Sequence, residues 1–585
     1  MLSAMAGWGP AMVSTTPATR APATADPGPL RPPWSARALI AAGLLVAAVA
    51  VTWLTFWWIG LSPASLAAGL DDTARLLRRM WPPDLPRAGD VAWMIVETLL
   101  IAVAGTGLAA LASVPLAFVA ARTHKGPRRL RPPARAVIVL TRAVPTLAFA
   151  ILFVRIFGLG PLAGALAVAV HSVGMIAKLL TDAVEEADPV PAEAARACGA
   201  GEVQVAVSSV LPRVFPALAG IVLYRLDINI RASAVLGVVG AGGIGVALQT
   251  ALGSLNYHRA AGIICVIVVL VLLLELLSVT VRRTVLRPTV RRRTASRTSR
   301  RDLVGRDTGA AGRTAGDTTG TAALPGGRAP HDVGWDRGRV LRVAGAIATG
   351  VVFLVSLWSL DPDPGRLSGA WPNLRAVLTG MWPPAFSGDL LMAVLESLLM
   401  ALGAAAVGAA CGLVLALLTA VNTTPWRPLS AMVRVLLVVV RGIPDLVYAL
   451  LFVAALGLGP YAGFLALWIS STALAAKFFA DSLEQLDPLP HEALTSVGAR
   501  RWQAFAAGIW PQFVPSFTGN GLFVADLALR ESVVLGIAGA GGVGYLMQES
   551  IATLRYDTTA AIVIAIAVVV YAIETLARIA RRHLL

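Results

Sequence analysis

PVPAEAARACGAGEVQVAVSSVLP occupies residues 189–212 and interrupts a chain that is otherwise mostly apolar. A Pro-x-Pro break opens it, Glu193-Ala194-Ala195 follows, Gly199 offers a turn, and Leu211-Pro212 marks the next apolar run. A second copy, PLPHEALTSVGARRWQAFAAGIWP, occupies residues 488–511. Gly199 and Gly498, Glu193 and Glu492, and Pro212 and Pro511 are each separated by 299 residues. A loop of this length, helix-like in composition and repeated between apolar runs, points to a docking surface rather than a simple connection. The rest of the chain reads as a frame that holds both loops on one side of a membrane.

By length alone, 585 residues would allow several soluble domains. The composition excludes that: 57% hydrophobic, 14% charged and a mean hydropathy of +0.73 describe a polytopic membrane protein. The formal charge of +16 invites a nucleic-acid reading until it is located. Residues 282–342 hold fifteen Arg against five Asp, so most of the excess sits in one linker. There it marks a cytoplasmic face, and no nucleic-acid partner is expected. Cys198, Cys265 and Cys411 have no metal or redox spacing and read as small core residues. Lysine occurs only at 125, 178 and 477, never before Ser or Thr, so no phosphate-cradling GxxxxGK[ST] loop exists. If ATP drives this protein, another subunit binds it.

Residues 1–37 are rich in Pro, Ala and Thr and read as a disordered cytoplasmic tail; they lack the pattern of a signal peptide. Apolar runs follow at about 38–61, 91–121, 136–157, 162–180, 214–236 and 258–281. After the Arg-rich linker, 286–339, the series repeats at about 340–360, 390–421, 430–456, 461–480, 513–536 and 557–580. Each run approaches or exceeds the ~20 residues that cross a bilayer core as helix. The offset of 299 also pairs Glu97 with Glu396, Arg142 with Arg441, Pro145 with Pro444, and Tyr257 with Tyr556. The reading is a tandem duplication: an all-α polytopic membrane protein of about twelve transmembrane helices in two six-helix repeats. The units span 38–285 and 340–585. Six is even, so both units share one orientation. The basic loop Arg122–Arg135 places itself, the termini and the loops 189–212 and 488–511 inside.

Ionisable groups at membrane depth need partners or water. Asp227 and Arg231 lie four residues apart on one helical face, as do Asp526 and Arg530. Three readings stand for them: packing ion pairs, a substrate pathway in which the arginines attract an anion, or gate contacts. Lys178 with Asp182, and Lys477 with Asp481, read as interface anchors. His171 reads as a hydrogen-bonded packing residue. The segments 237–245, GVVGAGGIG, and 536–544, GIAGAGGVG, contain Gly240, Gly242 and Gly243, and Gly539, Gly541 and Gly542. They are too glycine-rich for helix interiors and lack the strand of a dinucleotide fingerprint. The alternatives are close helix packing or a re-entrant turn near an outer gate. No nucleophile elbow, HExxH or other catalytic or metal-ligating constellation appears.

EAARACG at 193–199, with Pro212 thirteen residues after Gly199, resembles the EAA loop of permease subunits in type I ABC importers. The resemblance implies coupling helices that enter a cleft of a cytoplasmic ATPase, with Glu193, Ala194, Ala195 and Gly199, and Glu492, Ala493 and Gly498, as ATPase-coupling residues. ETLLIAVAGTGLAALASVPLAFVAART, RAVPTLAFAILFVRIFGLGPLAGALA and INIRASAVLGVVGAGGIG are similar to the phosphonate permease subfamily over about 91–285 and 390–581. That implies import of a phosphonate, phosphite or phosphate-like oxyanion received from an extracytoplasmic substrate-binding protein. It also implies two ABC ATPase subunits carrying ATP-Mg, with no cofactor in this chain. Most such permeases hold one unit and dimerise, so this chain reads as two units fused. The second loop departs from the pattern at Leu494 and Trp510, and Glu531 stands where the first unit has Ala232.

The runner-up substrate is methionine or a betaine, whose permeases share the AGGxG segment. A twelve-span carrier driven by an ion gradient also has two six-helix halves, but it has no reason to repeat an ATPase-docking loop. A membrane scaffold would not repeat ionisable pairs in register.

Overall fold

The computed structural model describes residues 36–123, 128–281, 337–360, 364–424 and 426–584, and every regular element among them is a helix. Helix is the single-chain answer to an apolar environment, because it satisfies backbone N–H and C=O groups within the segment. The expected tail 1–37 and linker 286–339 lie outside the described residues, apart from the first turns of the helices that begin at Ala36 and Arg337.

The first half runs α1 (Ala36–Ile59), α2 (Pro63–Met80), α3 (Ala88–Ala120), α4 (Arg131–Ala143), α5 (Thr146–Phe157) and α6 (Pro161–Glu186). It continues with α7 (Val190–Ala197), α8 (Glu202–Val205), α9 (Leu211–Leu236), α10 (Ile244–Gly253) and α11 (Tyr257–Val281). The second half repeats the order as α12 (Arg337–Trp358), α13 (Pro364–Gly380), α14 (Gly388–Thr419), α15 (Arg427–Gly442), α16 (Asp445–Leu456) and α17 (Pro460–Glu484). It ends with α18 (Leu489–Ser496), α19 (Arg501–Ala504), α20 (Trp510–Leu535), α21 (Gly542–Ala552) and α22 (Tyr556–Leu584).

Each expected apolar run falls on helix. By length and composition, seven helices suffice to cross a membrane, and up to ten spans result when each bent pair counts as one. Helix α20, which carries Asp526, Arg530 and Glu531, stands outside that count. The chain is a multi-pass membrane protein.

The third run of each half is not one straight span, as the sequence reading had it. It breaks by 96° between α4 and α5 and by 80° between α15 and α16. Pro145 and Pro444 cause the break: proline has no N–H to donate, and it drives the preceding residue out of the helical region. Val144 (ψ 126°) and Ile443 (ψ 122°) are extended accordingly. Two helices that the apolar-run count passed over, the amphipathic α2 and the more weakly patterned α13, follow the first helix of each half. Ser62 caps α2, accepting from the Ser65 backbone N–H at 3.0 Å.

The two halves exchange their first helices. Thr55 on α1 donates to the Leu399 carbonyl on α14 at 2.8 Å, and Phe56 meets Phe464 of α17 edge-on at 5.9 Å. Phe353 on α12 lies against Gly107 on α3 in the matching position. The helices after these are also shared: Tyr461 donates to the Ser65 carbonyl of α2, and Asn373 of α13 to the Ile156 carbonyl of α5. Within each half the tightest pairing is α3 on α6 and α14 on α17, through small residues. A Cβ at Gly105 would sit 2.7 Å from Val168, and one at Gly408 2.7 Å from Ser471. Lipid offers no hydrophobic drive between helices, so such close approach is what holds them together.

Candidate functional site

Both loops 189–212 and 488–511 fold as helix, turn, helix. Asp188 Oδ1 accepts the Val190 N–H at 3.1 Å, and Asp487 Oδ1 accepts the Leu489 N–H at 3.0 Å, so each short helix begins at the same point. α7 and α18 end at Gly199 (φ +83°) and Gly498 (φ +86°), a left-handed backbone that favours glycine. Then Gln204 and Gln503 accept the N–H groups of Gly201 and Arg500, both at 2.9 Å, and start the next turn. Through a π-helical stretch at 206–210 and 505–509 this turn runs into α9 and α20. Glu193, Ala194, Glu492 and Ala493 are exposed, and Ala195 is half-buried. Val190, Val203, Leu489, Val497 and Trp502 add exposed apolar surface around them. In the first loop Arg196 holds Glu202 through Nε at 2.9 Å and Nη2 at 3.1 Å, which raises the Arg196 guanidinium above its ordinary value. The second loop has Thr495 and Arg501 at those places, and Thr495 and Ser496 instead donate to the Glu492 carbonyl. The shape recurs while the internal fastening differs.

The in-register pairs sit on α9 and α20 as the spacing implies. Arg231 approaches Asp227 at 3.5 Å, and Arg530 approaches Asp526 at 3.0 Å, all four being partly buried. Arg530 also donates to the Arg142 carbonyl at 3.3 Å, at the end of α4 in the other half. Its pair therefore reaches the seam between halves. Within the second half Asp445, the first residue of α16, hydrogen-bonds Ser470, and Glu531 interacts with Asp445 and Arg530; across the seam Asp445 also interacts with Arg231. Thr146 and Ala232 occupy the positions of Asp445 and Glu531 in the first half. Lys178 pairs with Asp182 at 2.5 Å, both partly exposed. His171 donates from Nδ1 to the Val144 carbonyl at 3.0 Å, a group released by the α4–α5 break.

Sequence reasoning missed Arg225, because it favoured residues that recur in register. Arg225 is at the middle of α9 and 5% exposed. Its Nη2 donates to Ser172 Oγ at 3.2 Å and to Asn229 Oδ1 at 3.1 Å. Asn229 Nδ2 continues to Thr106 Oγ1 at 2.8 Å, tying α3, α6 and α9 into one polar network. The second half has Val524, Ser471, Ala528 and Ala405 there. A charge in one half facing an aliphatic residue in the other was the available signal.

The glycine segments leave the helical path. Gly240, Gly242 and Gly243 have φ of +81°, +85° and +76°, and Gly539, Gly541 and Gly542 +95°, +79° and +68°. Each turn is pinned twice: Gly160 donates to the Gly240 carbonyl, and Gly459 to the Gly539 carbonyl, both at 3.0 Å. On the other side Ile244 N–H donates to Thr98 Oγ1 at 3.0 Å, and Val543 N–H to Ser397 Oγ at 2.9 Å. Glu396 accepts the Gly542 N–H at 2.9 Å. The irregular turn and the close packing are both present, since a Cβ at Gly164 would lie 2.4 Å from the Ala241 carbonyl oxygen. In the first half the turn borders a cavity of about 490 Å³, lined in part by Glu97, Thr250 and Arg259. Tyr545 stands at the place of its lining residue Val246 in the second half.

Comparison with known proteins agrees with the duplication. The family described as binding-protein-dependent transport system inner membrane component matches residues 113–291 and again 408–585. The chain is 41% identical over 530 residues to the phosphate-import permease protein PhnE of Mycolicibacterium smegmatis, covering 90% of this chain and 91% of that one. It is 40% identical over 236 residues to the phosphite transport system permease protein PtxC of Stutzerimonas stutzeri, covering 40% of this chain and 85% of that one. Among solved structures, the inward-facing MetNI methionine transporter aligns with 34% of this chain and 99% of its own, at 20% identity and a TM-score of 0.31.

Proposed function

Because the chain belongs to the family of binding-protein-dependent transport system inner membrane components, we propose that it is the complete permease of an ATP-driven importer for phosphorus oxyanions. Phosphonate is the leading substrate, with phosphite and phosphate in the same class. The observation that carries this reading is the 41% identity to a phosphate-import permease across nine-tenths of both chains, through both halves. Membership in this family implies an ATPase and a substrate-binding protein as partners. In the arrangement proposed here, two ATPase subunits bind ATP-Mg and seat the exposed surfaces around Glu193 and Glu492 in their clefts. The termini and both loops face the cytoplasm, and the receptor delivers substrate to the opposite face of a cytoplasmic membrane. This chain carries no cofactor and performs no hydrolysis itself; it is a transport subunit.

The glycine turns would form the outer gate. Each is a rigid irregular element held between the Gly158–Gly160 or Gly457–Gly459 loop and the start of α3 or α14. A shift of either partner would move the turn as a body. Asp227, Arg231, Asp526 and Arg530 would border the path below it. Arginine suits such a path because its planar fork stays charged and holds two oxygens at once.

The test is uptake. A strain lacking this gene, grown with methylphosphonate, phosphite or phosphate as sole phosphorus source, should fail on at least one and recover when the gene is restored. Unchanged uptake of all three, together with loss of methionine or betaine uptake, would overturn the substrate assignment.

A further inference from the structure

Arg225 presents a problem that the proposed path through Arg231 and Arg530 leaves unsolved. A guanidinium stays ionised, and burying it costs several kcal/mol unless an anion or a full set of acceptors compensates. Arg231 and Arg530 each have a carboxylate four residues away. Arg225 has none: its hydrogen bonds go to the neutral Ser172 and Asn229, both from Nη2, and its buried Nε has no partner. Ser172 and Asn229 are themselves occupied with each other and with Thr106, so the network cannot turn further acceptors toward it. The fold does not require a charge at this place, because the second half puts Val524 in register with it.

A second guanidinium lies in the neighbourhood of Arg225. His171, one residue before Ser172 on α6, feels both Arg225 and Arg530. Arg530 belongs to the other half and already crosses the seam to the Arg142 carbonyl. The two guanidiniums therefore share one neighbour, the neutral ring of His171, whose Nδ1 is fixed on the Val144 carbonyl. Asp526 answers Arg530, and nothing among the described residues answers Arg225.

We propose that Arg225, with Arg530, forms a one-sided oxyanion site in the transport path, whose missing countercharge is the phosphorus oxyanion itself. The inference rests on the proposed function and sharpens it. The permease does not pass substrate along its symmetry axis but holds it transiently against the first half. Nε of Arg225 supplies one free donor to a tetrahedral oxyanion, and Ser172 and Asn229 fix the plane of the fork. Val524 and Ala528 leave the second half without an equivalent of Arg225 and Asn229. The seam is where the halves move in alternating access, so the site is covered in one state and open in another.

Thermal unfolding of the purified full chain in lipid nanodiscs tests this, with methylphosphonate titrated at fixed ionic strength and chloride as the control. Binding to the folded state raises the midpoint in a saturable way. The wild type should show such a rise with methylphosphonate and none with chloride. Arg225→Gln should remove the rise while leaving the unliganded midpoint equal or higher, since an uncompensated charge has gone. Arg225→Lys keeps the charge and loses the fork, and should weaken the apparent affinity about tenfold. No rise in the wild type, or an undiminished rise in Arg225→Lys, would overturn the site. So would an Arg225→Gln midpoint that falls while the rise persists. If Arg225→Gln does not fold, the Lys variant and the wild type decide. Cellular uptake separates this inference from its premise. Methylphosphonate uptake by the wild-type system with an unchanged KM in Arg225→Lys sinks the site alone; no wild-type uptake of any phosphorus oxyanion sinks the premise.

Discussion

At the scale of single residues, the paired charges of α9 and α20 were legible because helical spacing and the 299-residue register point to the same positions. What they contact across the seam was not. The reach of Arg530 to the Arg142 carbonyl, and of Asp445 toward Arg231, depends on a break in a third span that a hydropathy count reads as continuous. Arg225 was hidden for the opposite reason, since looking for repeats selects what the halves share. The pair assignment makes a separable prediction. Arg231→Gln with Arg530→Gln should lower phosphonate uptake at least tenfold while the chain is still made and still binds its ATPase, if the arginines steer the anion. If they only fix packing, the double variant will be poorly expressed, and adding Asp227→Asn and Asp526→Asn will restore both expression and uptake. Quantifying membrane-inserted protein and initial uptake rates in the two variants distinguishes these outcomes.

At the scale of elements, the loops came through because their signals are chemical: prolines that end a helix, a glycine that turns the chain, and a carboxylate exposed between them. The glycine segments came through for the same reason, as three residues in each adopt positive φ. The bends at Pro145 and Pro444 had an equally good signal, but long apolar flanks outweighed a single proline in the counting of spans. Helices α2 and α13 were passed over because each alone is too polar to register as a span. At Gly199 and Gly498 a Cβ meets no neighbour within 4 Å, so a substitution acts through backbone strain alone. Val at either position should cost roughly 1–2 kcal/mol locally. Gly199→Val and Gly498→Val should therefore insert normally yet pull down less ATPase, and the double variant less than either single one. Wild-type levels of co-purified ATPase with normal uptake in both variants would count against the docking role. The bidentate Arg196–Glu202 clasp exists only in the first loop, so the second variant should show the larger loss.

At the scale of the whole molecule, duplication was readable from one sequence, but the way the halves hold each other was not. Contacts such as Thr55 with Leu399, or Phe353 with Gly107, join residues of different repeats and leave no periodic trace. Because each half lends its first helix to the other, neither unit is a closed body without its neighbour. The fusion thus keeps in one chain an interface that separate units would have to find by collision. This arrangement also allows the halves to diverge: Arg225 lies in one, and Asp445 and Glu531 lie in the other, which two identical copies could not do. The central claim is that a single chain supplies the entire permease. Native mass measurement of the complex, purified with its ATPase from the membrane, tests it most directly. The mass should correspond to one copy of this chain and two ATPase subunits, while a mass corresponding to two copies of this chain with two ATPases would contradict the account.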